Sequence, residues 1–319
     1  MKDNTRGREA KSPGEIPKAG WKDVLLRVKE QVGTDNISIV AAGVAFYFFL
    51  ALFPTLAAFI SLYGLVTEPA EVERHLSDLT AYLPRDTHEM LTERLHSIVQ
   101  NSDTTLGWGF LLSILLSLWS ANSGTKSLFE GINIAYDEEI KRGFFKLNGL
   151  TMLFTFAGIL VGLISLLLVI AFPAVIDTLG FPDVIKTLIG LGRWLLLAVI
   201  VMLGLALIYK IAPDRDNPKF KWVSWGSAFA TILWLLGSFL FSLYVNNFAN
   251  YNETYGPVAS VIILMLWFNL TSFIILLGAE INSELEHQTA KDTTVGAEKP
   301  LGQRNAYHAD HVAGDPEHD

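Results

Sequence analysis

The chain has 319 residues, of which 51% are hydrophobic and 18% charged, and its mean hydropathy is +0.36. Soluble domains usually carry about 25% charged residues, so this composition excludes an ordinary soluble enzyme, a disordered protein and a collagen-like fibre. Cysteine is absent, which excludes disulfides, cysteine-based zinc sites and thiol nucleophiles. The net charge of −8 argues against a nucleic-acid partner.

The N-terminal part of the chain is polar. Residues 1–20 mix charged residues, proline and glycine without a period, and we expect a disordered cytoplasmic arm. Trp21, Val24 and Val28 then recur at helical spacing with basic residues between them, which predicts an amphipathic interfacial helix over 21–35. This helix either lies on the cytoplasmic leaflet or packs against the cytoplasmic end of a helical bundle.

Six apolar segments are long enough to cross a hydrocarbon core of about 30 Å. The second is the weakest, because Ser120 and Asn122 follow its apolar run, but the charge pattern requires an even number of crossings. The sequence therefore predicts an all-α polytopic membrane protein with a six-helix transmembrane domain over 37–285. The predicted spans are 37–64, 107–126, 148–172, 188–212, 222–245 and 258–280.

Lysine and arginine are distributed unevenly between the segments that connect these spans. Alternate compartments hold 19 and 5 of them. Basic residues accumulate on the cytoplasmic side, so we expect both termini in the cytoplasm. The first apolar run follows a long basic arm and is too long for a signal peptide, which predicts multi-pass integration into the inner membrane.

Two polar segments flank or interrupt the spans. Residues 67–105 contain two amphipathic helical patterns separated by Pro84, which predicts an external helical hairpin capping the bundle. The tail over 286–319 is polar and contains glycine, and we expect it to be disordered in the cytoplasm. The spacings of His75, His88 and His96 in the first segment fit no metal-ligand motif. The scattered histidines of the tail leave weak metal binding as an unsupported alternative, and we expect no metal site and no cofactor.

The second span carries one polar stripe. Polar groups inside hydrocarbon usually face a bundle interior or water. At 100° per residue, five side chains fall within an arc of about 80°. The stripe indicates a wall of a substrate path, although a helix that emerges into the cytoplasm would show the same pattern. Its members are Trp119, Asn122, Lys126, Glu130 and Asn133.

Other spans supply further substrate-path candidates, namely Tyr47, Pro54 and Asn269. Pro54 frees a backbone carbonyl and is expected to kink the first span. Asn269 lies near the middle of the sixth span, where an amide also commonly joins helices by hydrogen bonding. Glu280 ends that span as an interfacial carboxylate.

Small residues at a spacing of four predict close helix packing. They occur at Gly158 and Gly162 in the third span and at Gly226 and Ala230 in the fifth. Phosphate-binding loops, nucleophile elbows and zinc-protease motifs are absent from the sequence. We therefore do not expect an enzyme.

A series of short motifs runs in order from residue 37 to residue 284. It includes Ala45-Phe46-Tyr47 with Leu52-Phe53-Pro54, Trp119-Ser120-Ala121, Tyr209-Lys210 with Pro213, and Gly278-Ala279-Glu280. The series resembles the YihY / BrkB family of bacterial inner-membrane proteins. The resemblance implies six spans, which agrees with the count above. The resemblance leads us to expect arginine at position 210. Lys210 keeps the positive charge but lacks the planar guanidinium group.

Members of the family that the chain resembles have been described as virulence factors and as a tRNA-processing ribonuclease. A nuclease needs metal-binding carboxylates or an acid–base pair beside a basic groove, and the short cytoplasmic loops contain no such cluster. We expect a transporter or flippase-like protein for an amphipathic, anionic envelope lipid. A collar of basic residues, including Arg142, Lys146 and Lys210, would bind its head group.

The alternative is a non-transporting membrane scaffold for envelope partners, and a ribonuclease is the least favoured function. The expected partners are membrane lipids, with anionic head groups among them and no nucleic acid. The sequence does not indicate an oligomeric state.

Overall fold

A computed structural model describes residues 4–66, 108–166, 168–169, 172, 176, 181–248 and 258–314. The prediction of an all-α fold is confirmed for these residues. The external hairpin predicted over 67–105 lies outside them. The α-helices are α1 Lys18–Thr34, α2 Ile37–Val66, α3 Trp108–Ala135, α4 Phe144–Leu166, α5 Asp183–Ile211, α6 Phe220–Phe248, α7 Val258–His287 and α8 Tyr307–Asp310.

Several of these helices are long and apolar enough to cross a membrane. Among the described residues, α4, α5, α6 and α7 meet this requirement, and α1 with the start of α2 adds a fifth span if the bent pair is counted as one. The predicted second span is helical as part of α3, but α3 is not among these helices. A count of six is broadly consistent with the fold and stays a prediction.

The chain turns sharply between α1 and α2. The axes of Lys18–Thr34 and Ile37–Leu52 differ by 63°. Asn36 lies in the break with a φ of 52°, a left-handed conformation that asparagine adopts more easily than most residues. The bend sends α2 into the bundle and leaves α1 across its end.

Helix α1 has one buried face and one exposed face. Val24 and Val28 are buried and pack in one cluster with Ile281 of α7. Leu25 and Leu26, on the other face, are about half exposed. The sequence left open whether this helix lies on the membrane leaflet or packs against the bundle. The face that carries Val24 and Val28 packs against the end of the bundle.

Helices α6 and α7 are in backbone contact. A Cβ atom placed on Gly226 would overlap the carbonyl oxygen of Gly278. The side chain of Asn282 crosses the same contact, since its Oδ1 accepts from the Gly226 N–H at 2.8 Å and its Nδ2 donates to the Val223 carbonyl at 3.2 Å. The close packing predicted at Gly226 is therefore confirmed.

The corresponding prediction for α4 is wrong. A Cβ atom added to Gly158 or Gly162 would meet no atom within 4 Å among the described residues. Both glycines are exposed and leave open space beside the helix. The spacing of small residues does not distinguish a packed face from an open one.

The prediction that the arm and the tail are disordered is corrected by their described parts. Residues 4–17 contain 3-10 turns at Asn4–Arg6 and Pro13–Glu15. In the tail, Thr289, Thr293 and His308 are buried. Composition alone was misleading, because polar side chains here satisfy one another and nearby backbone groups instead of water.

Arg304 holds the tail together. Its guanidinium is almost fully buried and donates to the carbonyls of Ala290 at 2.9 Å, Lys291 at 3.3 Å and Ala309 at 2.5 Å. The tail also contacts the arm, where Arg8 donates to the Ala313 carbonyl at 3.2 Å. Both ends of the chain thus belong to one layer on the bundle.

Gly226→Ala is expected to destabilise the protein by about 1–3 kcal/mol, because the new methyl group overpacks the contact with Gly278. Gly204→Ala is the matched control, since a Cβ atom at Gly204 in α5 meets nothing within 4 Å. Thermal unfolding of the purified variants in one detergent measures the difference. Equal midpoints for the two variants would contradict the backbone contact.

Acidification is expected to release the tail. Burial raises the pKa of Asp292, but hydrogen bonds from Lys299 and Thr294 outweigh burial, so this pKa lies below its ordinary value. A carboxyl group with a depressed pKa stabilises the fold above its unfolded pKa of about 3.9, and the contribution is lost as the pH falls through the folded pKa. Release is therefore expected below about pH 4.

The absence of cysteine makes a clean reporter possible. A single Ala309→Cys substitution places a thiol at a fully buried position of α8. Its reaction with a pyridyl disulfide, which stays reactive in acid, should accelerate as the tail is released. Asp292→Asn in the same background should react faster already at neutral pH. A rate that Asp292→Asn leaves unchanged at every pH would show that Asp292 does not hold the tail.

Candidate functional site

Polar groups collect where several helices end on the side predicted to be cytoplasmic. Arg142, between α3 and α4, donates to the carbonyls of Ile211 and Ala212, each at 3.0 Å, and of Pro213 at 2.7 Å. It also pairs with Asp214 at 3.1 Å. The last carbonyls of a helix lack partners within the helix, so Arg142 caps the C-terminus of α5.

Asn133 completes this cap from α3. Its Nδ2 donates to the carbonyls of Phe129 at 2.7 Å and Ala212 at 3.3 Å, and its Oδ1 accepts from the Asp214 N–H at 2.8 Å. Asn133 is buried. This predicted substrate-path residue therefore connects two helices in the described structure.

A fully buried ion pair lies close to this cap. Arg215 donates to Glu286 Oε2 at 2.7 Å, and both side chains are 0% exposed. Thr293 donates to the same oxygen at 2.6 Å, and the Tyr136 ring lies 5.0 Å from the guanidinium carbon. Buried charges require such partners, because an ion removed from water without one costs several kcal/mol or more.

A second charged group lies between α1, α3 and α7. Glu280 is buried, whereas the sequence predicted an interfacial carboxylate, because α7 continues two turns beyond the predicted end of the span. Asp35, Glu284 and Asp137 are its acidic neighbours. Arg27 contacts Glu284 Oε2 through Nε.

Two histidines adjoin this acidic group. Glu284, His287 and His308 each offer a ligand atom, and the three atoms lie within 4.8 Å of one another. The sequence predicted no metal site, because only spacing along the chain was considered. The fold brings His308 of the tail to the end of α7, and among the described residues these three form the group that could hold a metal ion.

The predicted stripe on α3 does not share one environment. Asn122 and Asn133 are buried, Lys126 is half-buried, and Trp119 and Glu130 are exposed. No ion pair joins Lys126 to Glu130 in the described structure. The 100° rule located the stripe correctly on the helix, but the neighbouring helices cover only part of it.

A cavity of about 370 Å³ adjoins the buried part of α3. It lies between α2, α3 and α4, with Ile208 of α5 and Phe268 of α7 also in its mostly apolar lining. The hydroxyl groups of Thr125 and Thr155, both in this lining, hydrogen-bond to each other at 2.8 Å. Asn122, one turn away, places its Nδ2 3.5 Å from Asn148, and its buried Oδ1 has no hydrogen-bond partner among the described residues. Lining residues include Phe48, Ala51, Ala121, Leu128, Phe154 and Gly158.

The other predicted path residues lie elsewhere. Asn269 lines a second cavity, of about 380 Å³, with Ala42 and Met265 between α2 and α7. Tyr47 is partly exposed and its ring contacts Phe46. Helix α2 continues through Pro54, whose side chain lies outside the described residues.

The predicted basic collar is divided in the same way. Arg142 is held by the α5 cap and is mostly buried, so its guanidinium is not free to bind a head group. Lys146 is exposed and Lys210 is half-buried. The collar prediction is therefore corrected for Arg142, because its hydrogen-bonding capacity is used by backbone carbonyls.

Sequence reasoning missed the buried charges of α7 and its tail. A usable signal exists, since Glu280, Glu284 and His287 are spaced by four and three and would share one face of a helix continued past residue 280. Arg215 and Glu286 carry no such signal, because 71 residues separate the partners. Only the fold brings these two together.

Comparison with known proteins places this fold among membrane proteins. The chain is 31% identical over 274 residues to the ribonuclease-like protein YfkH of Bacillus subtilis (strain 168), which covers 84% of this chain and 93% of YfkH. It is 26% identical over 261 residues to the UPF0761 membrane protein IL2447 of Idiomarina loihiensis, covering 81% and 88% of the two chains. No solved structure matches.

The match to a whole family is equally extensive. The sequence profile described as "Virulence factor BrkB" matches residues 28–301 and thus includes α1 from Val28 through α7. The first part of the tail falls within the match, whereas α8 follows it. The chain is therefore a membrane protein that belongs to the BrkB family.

Proposed function

We propose that the chain moves an amphipathic, anionic lipid of the bacterial envelope across the inner membrane and that it is not an enzyme. The observation that carries this proposal is the cavity between α2, α3 and α4. An apolar lining in a membrane helix bundle favours a hydrocarbon ligand, because a polar solute would lose its hydration there.

Polar groups interrupt the lining at one level. Thr125 and Thr155 face each other, and the unpartnered Oδ1 of Asn122 lies one turn along α3. A buried acceptor without a partner is uncommon and indicates a donor from water or a ligand. These groups would contact the polar part of a lipid while the apolar walls contact its chains.

The charge distribution supports an anionic substrate. Lys126 is half-buried and follows Thr125 on α3, and the basic residues of the chain concentrate at the end where α3, α5 and α7 finish. Basic groups at this surface attract anionic head groups. Lys126 is therefore the proposed head-group contact, in preference to the capped Arg142.

Gly158→Leu is expected to reduce lipid movement at least several-fold, because the side chain would occupy open space in the cavity. Gly162→Leu is the matched control, since it lies one turn away on α4, also in open space, and does not line the cavity. The assay is leaflet-specific quenching of labelled anionic and neutral lipids in proteoliposomes. Equal flux in both variants would exclude this cavity as the path.

The same assay tests the polar stripe. Lys126→Ala and Glu130→Gln are expected to impair movement of the anionic lipid without loss of membrane insertion. Lys141→Ala removes the same charge from an exposed position between α3 and α4 and serves as the control. Wild-type lipid flux in both variants, at normal protein abundance, would exclude the polar stripe of α3 from the substrate path.

A non-transporting scaffold is the second candidate, and the locked charged layer around Arg215 and Glu286 favours it. Absence of flux for every lipid tested, from folded protein, would support this role. The ribonuclease-like name of YfkH suggests a third activity. It is disfavoured here because the side chains of Glu284 and His308 are buried between α7 and the tail, where an RNA strand has no access.

The proposed orientation places both termini in the cytoplasm. Single cysteines can test it, because the chain has none of its own. A thiol at exposed Gly143, between α3 and α4, should react only from the cytoplasmic side. A thiol at Val184, at the other end of the bundle near the start of α5, should react only from outside. The reverse pattern in sealed vesicles would invert the topology.

A further inference from the structure

The cluster of Glu284, His287 and His308 has the chemistry of a metal site. Its ligand atoms lie within 4.8 Å of one another, and each comes from a buried or half-buried side chain. A tetrahedral zinc site with bonds of about 2.1 Å needs ligand separations of about 3.4 Å, which small side-chain rotations can reach from here.

The histidine nitrogens are available for a metal. His308 Nε2 lies 3.0 Å from Asp137 Oδ2, while its buried Nδ1 has no hydrogen-bond partner. The Nδ1 of His287 is also buried without a hydrogen bond, and it lies 3.6 Å from Glu284 Oε2. Within the part of the chain that the structure describes, both histidines of the cluster therefore keep a buried imidazole nitrogen without a hydrogen-bond partner, as an incomplete coordination sphere would.

Asp137 acts on this site through His308. When Nε2 donates its proton to Asp137, the lone pair of His308 is placed on Nδ1. A carboxylate that orients a metal-binding histidine in this way is a common outer-shell arrangement. Asp137 lies just beyond the end of α3 with a φ of 52°, a left-handed conformation that aspartate adopts more easily than most residues. Asp137 is thus a positioning residue.

The local charge also favours a cation. Asp35, Asp137, Glu280 and Glu284 are mutual neighbours, and Arg27 is the guanidinium that contacts them through Glu284. Arg215 is already neutralised by Glu286. The carboxylates of Asp35, Asp137 and Glu284 outnumber this one guanidinium, and a divalent ion would offset the excess of negative charge.

We propose that Glu284, His287 and His308 bind one divalent transition-metal ion of the zinc class, and that this ion fastens the C-terminal tail to the last spanning helix. Two nitrogens and one oxygen suit zinc and leave a fourth position for water. His308 follows the family match, which ends at residue 301, so the clamp joins the segment beyond the match to the family-matched core. It is independent of lipid transport.

Zinc chloride titrated into full-length, chelator-stripped protein in detergent tests the site. One zinc per chain is expected by calorimetry and elemental analysis. His308→Gln should weaken binding at least ten-fold, and His311→Ala, at a half-buried histidine one residue beyond α8 and outside the ligand cluster, should not. No stoichiometric zinc in the wild type, or unchanged affinity in folded His308→Gln, would overturn the proposal.

A second variant covers the case in which His308→Gln fails to fold. Asp137→Asn keeps all three ligands and should weaken zinc binding about 10- to 100-fold through lost orientation. Zinc should also slow labelling of the Ala309→Cys reporter in the wild-type background and much less in Asp137→Asn. Zinc affinity and labelling that Asp137→Asn leaves unchanged would equally overturn the clamp.

Discussion

The backbone contact between α6 and α7 sets the position of the charged layer, that is, the buried charged side chains of Arg27, Arg215, Glu284 and Glu286 at one end of the bundle. Gly226 and Gly278 allow the two helices to approach until backbone meets backbone, and Asn282 bonds both ways across the contact. Tyr209 adds a hydrogen bond from α5 to the Ile275 carbonyl at 2.7 Å. Small residues with interhelical polar bonds are a common way to join membrane helices, since lipid offers no hydrophobic drive. The acidic face of α7 is thereby held towards α1 and α3.

The charged layer specifies one arrangement of the chain more than it adds to the free energy of unfolding. A buried ion pair such as Arg215–Glu286 gives back little net free energy, because desolvation offsets the attraction. Loss of one partner would nevertheless cost about 3–5 kcal/mol, since the other charge would remain buried alone. The same reasoning applies to Arg142, because its substitution would leave the carbonyl groups at the end of α5 without their hydrogen-bond donor. These contacts specify one arrangement of loops, arm and tail against the helices.

Sequence reasoning predicted the parts of this molecule that depend on local periodicity. The all-α class, the helical α1 and the close packing at Gly226 follow from patterns within one segment. Three other features do not follow from local patterns, because each depends on which distant segment lies opposite. They are the open face at Gly158, the α5 cap formed by Arg142 and the folded tail. The metal-ligating cluster belongs to the second kind, since His308 meets Glu284 only through the fold.

The contact between Arg8 and Ala313 joins residues 305 positions apart. Chains are synthesised at about 5–20 residues per second, so the arm waits tens of seconds for its partner. During this interval the spans are already entering the bilayer, while Arg27 cannot yet pair with Glu284. The contacts that need the tail therefore form only after the spans have been synthesised. Damage to the tail would leave a membrane-inserted chain without these contacts, open to quality-control proteases at this end of the bundle.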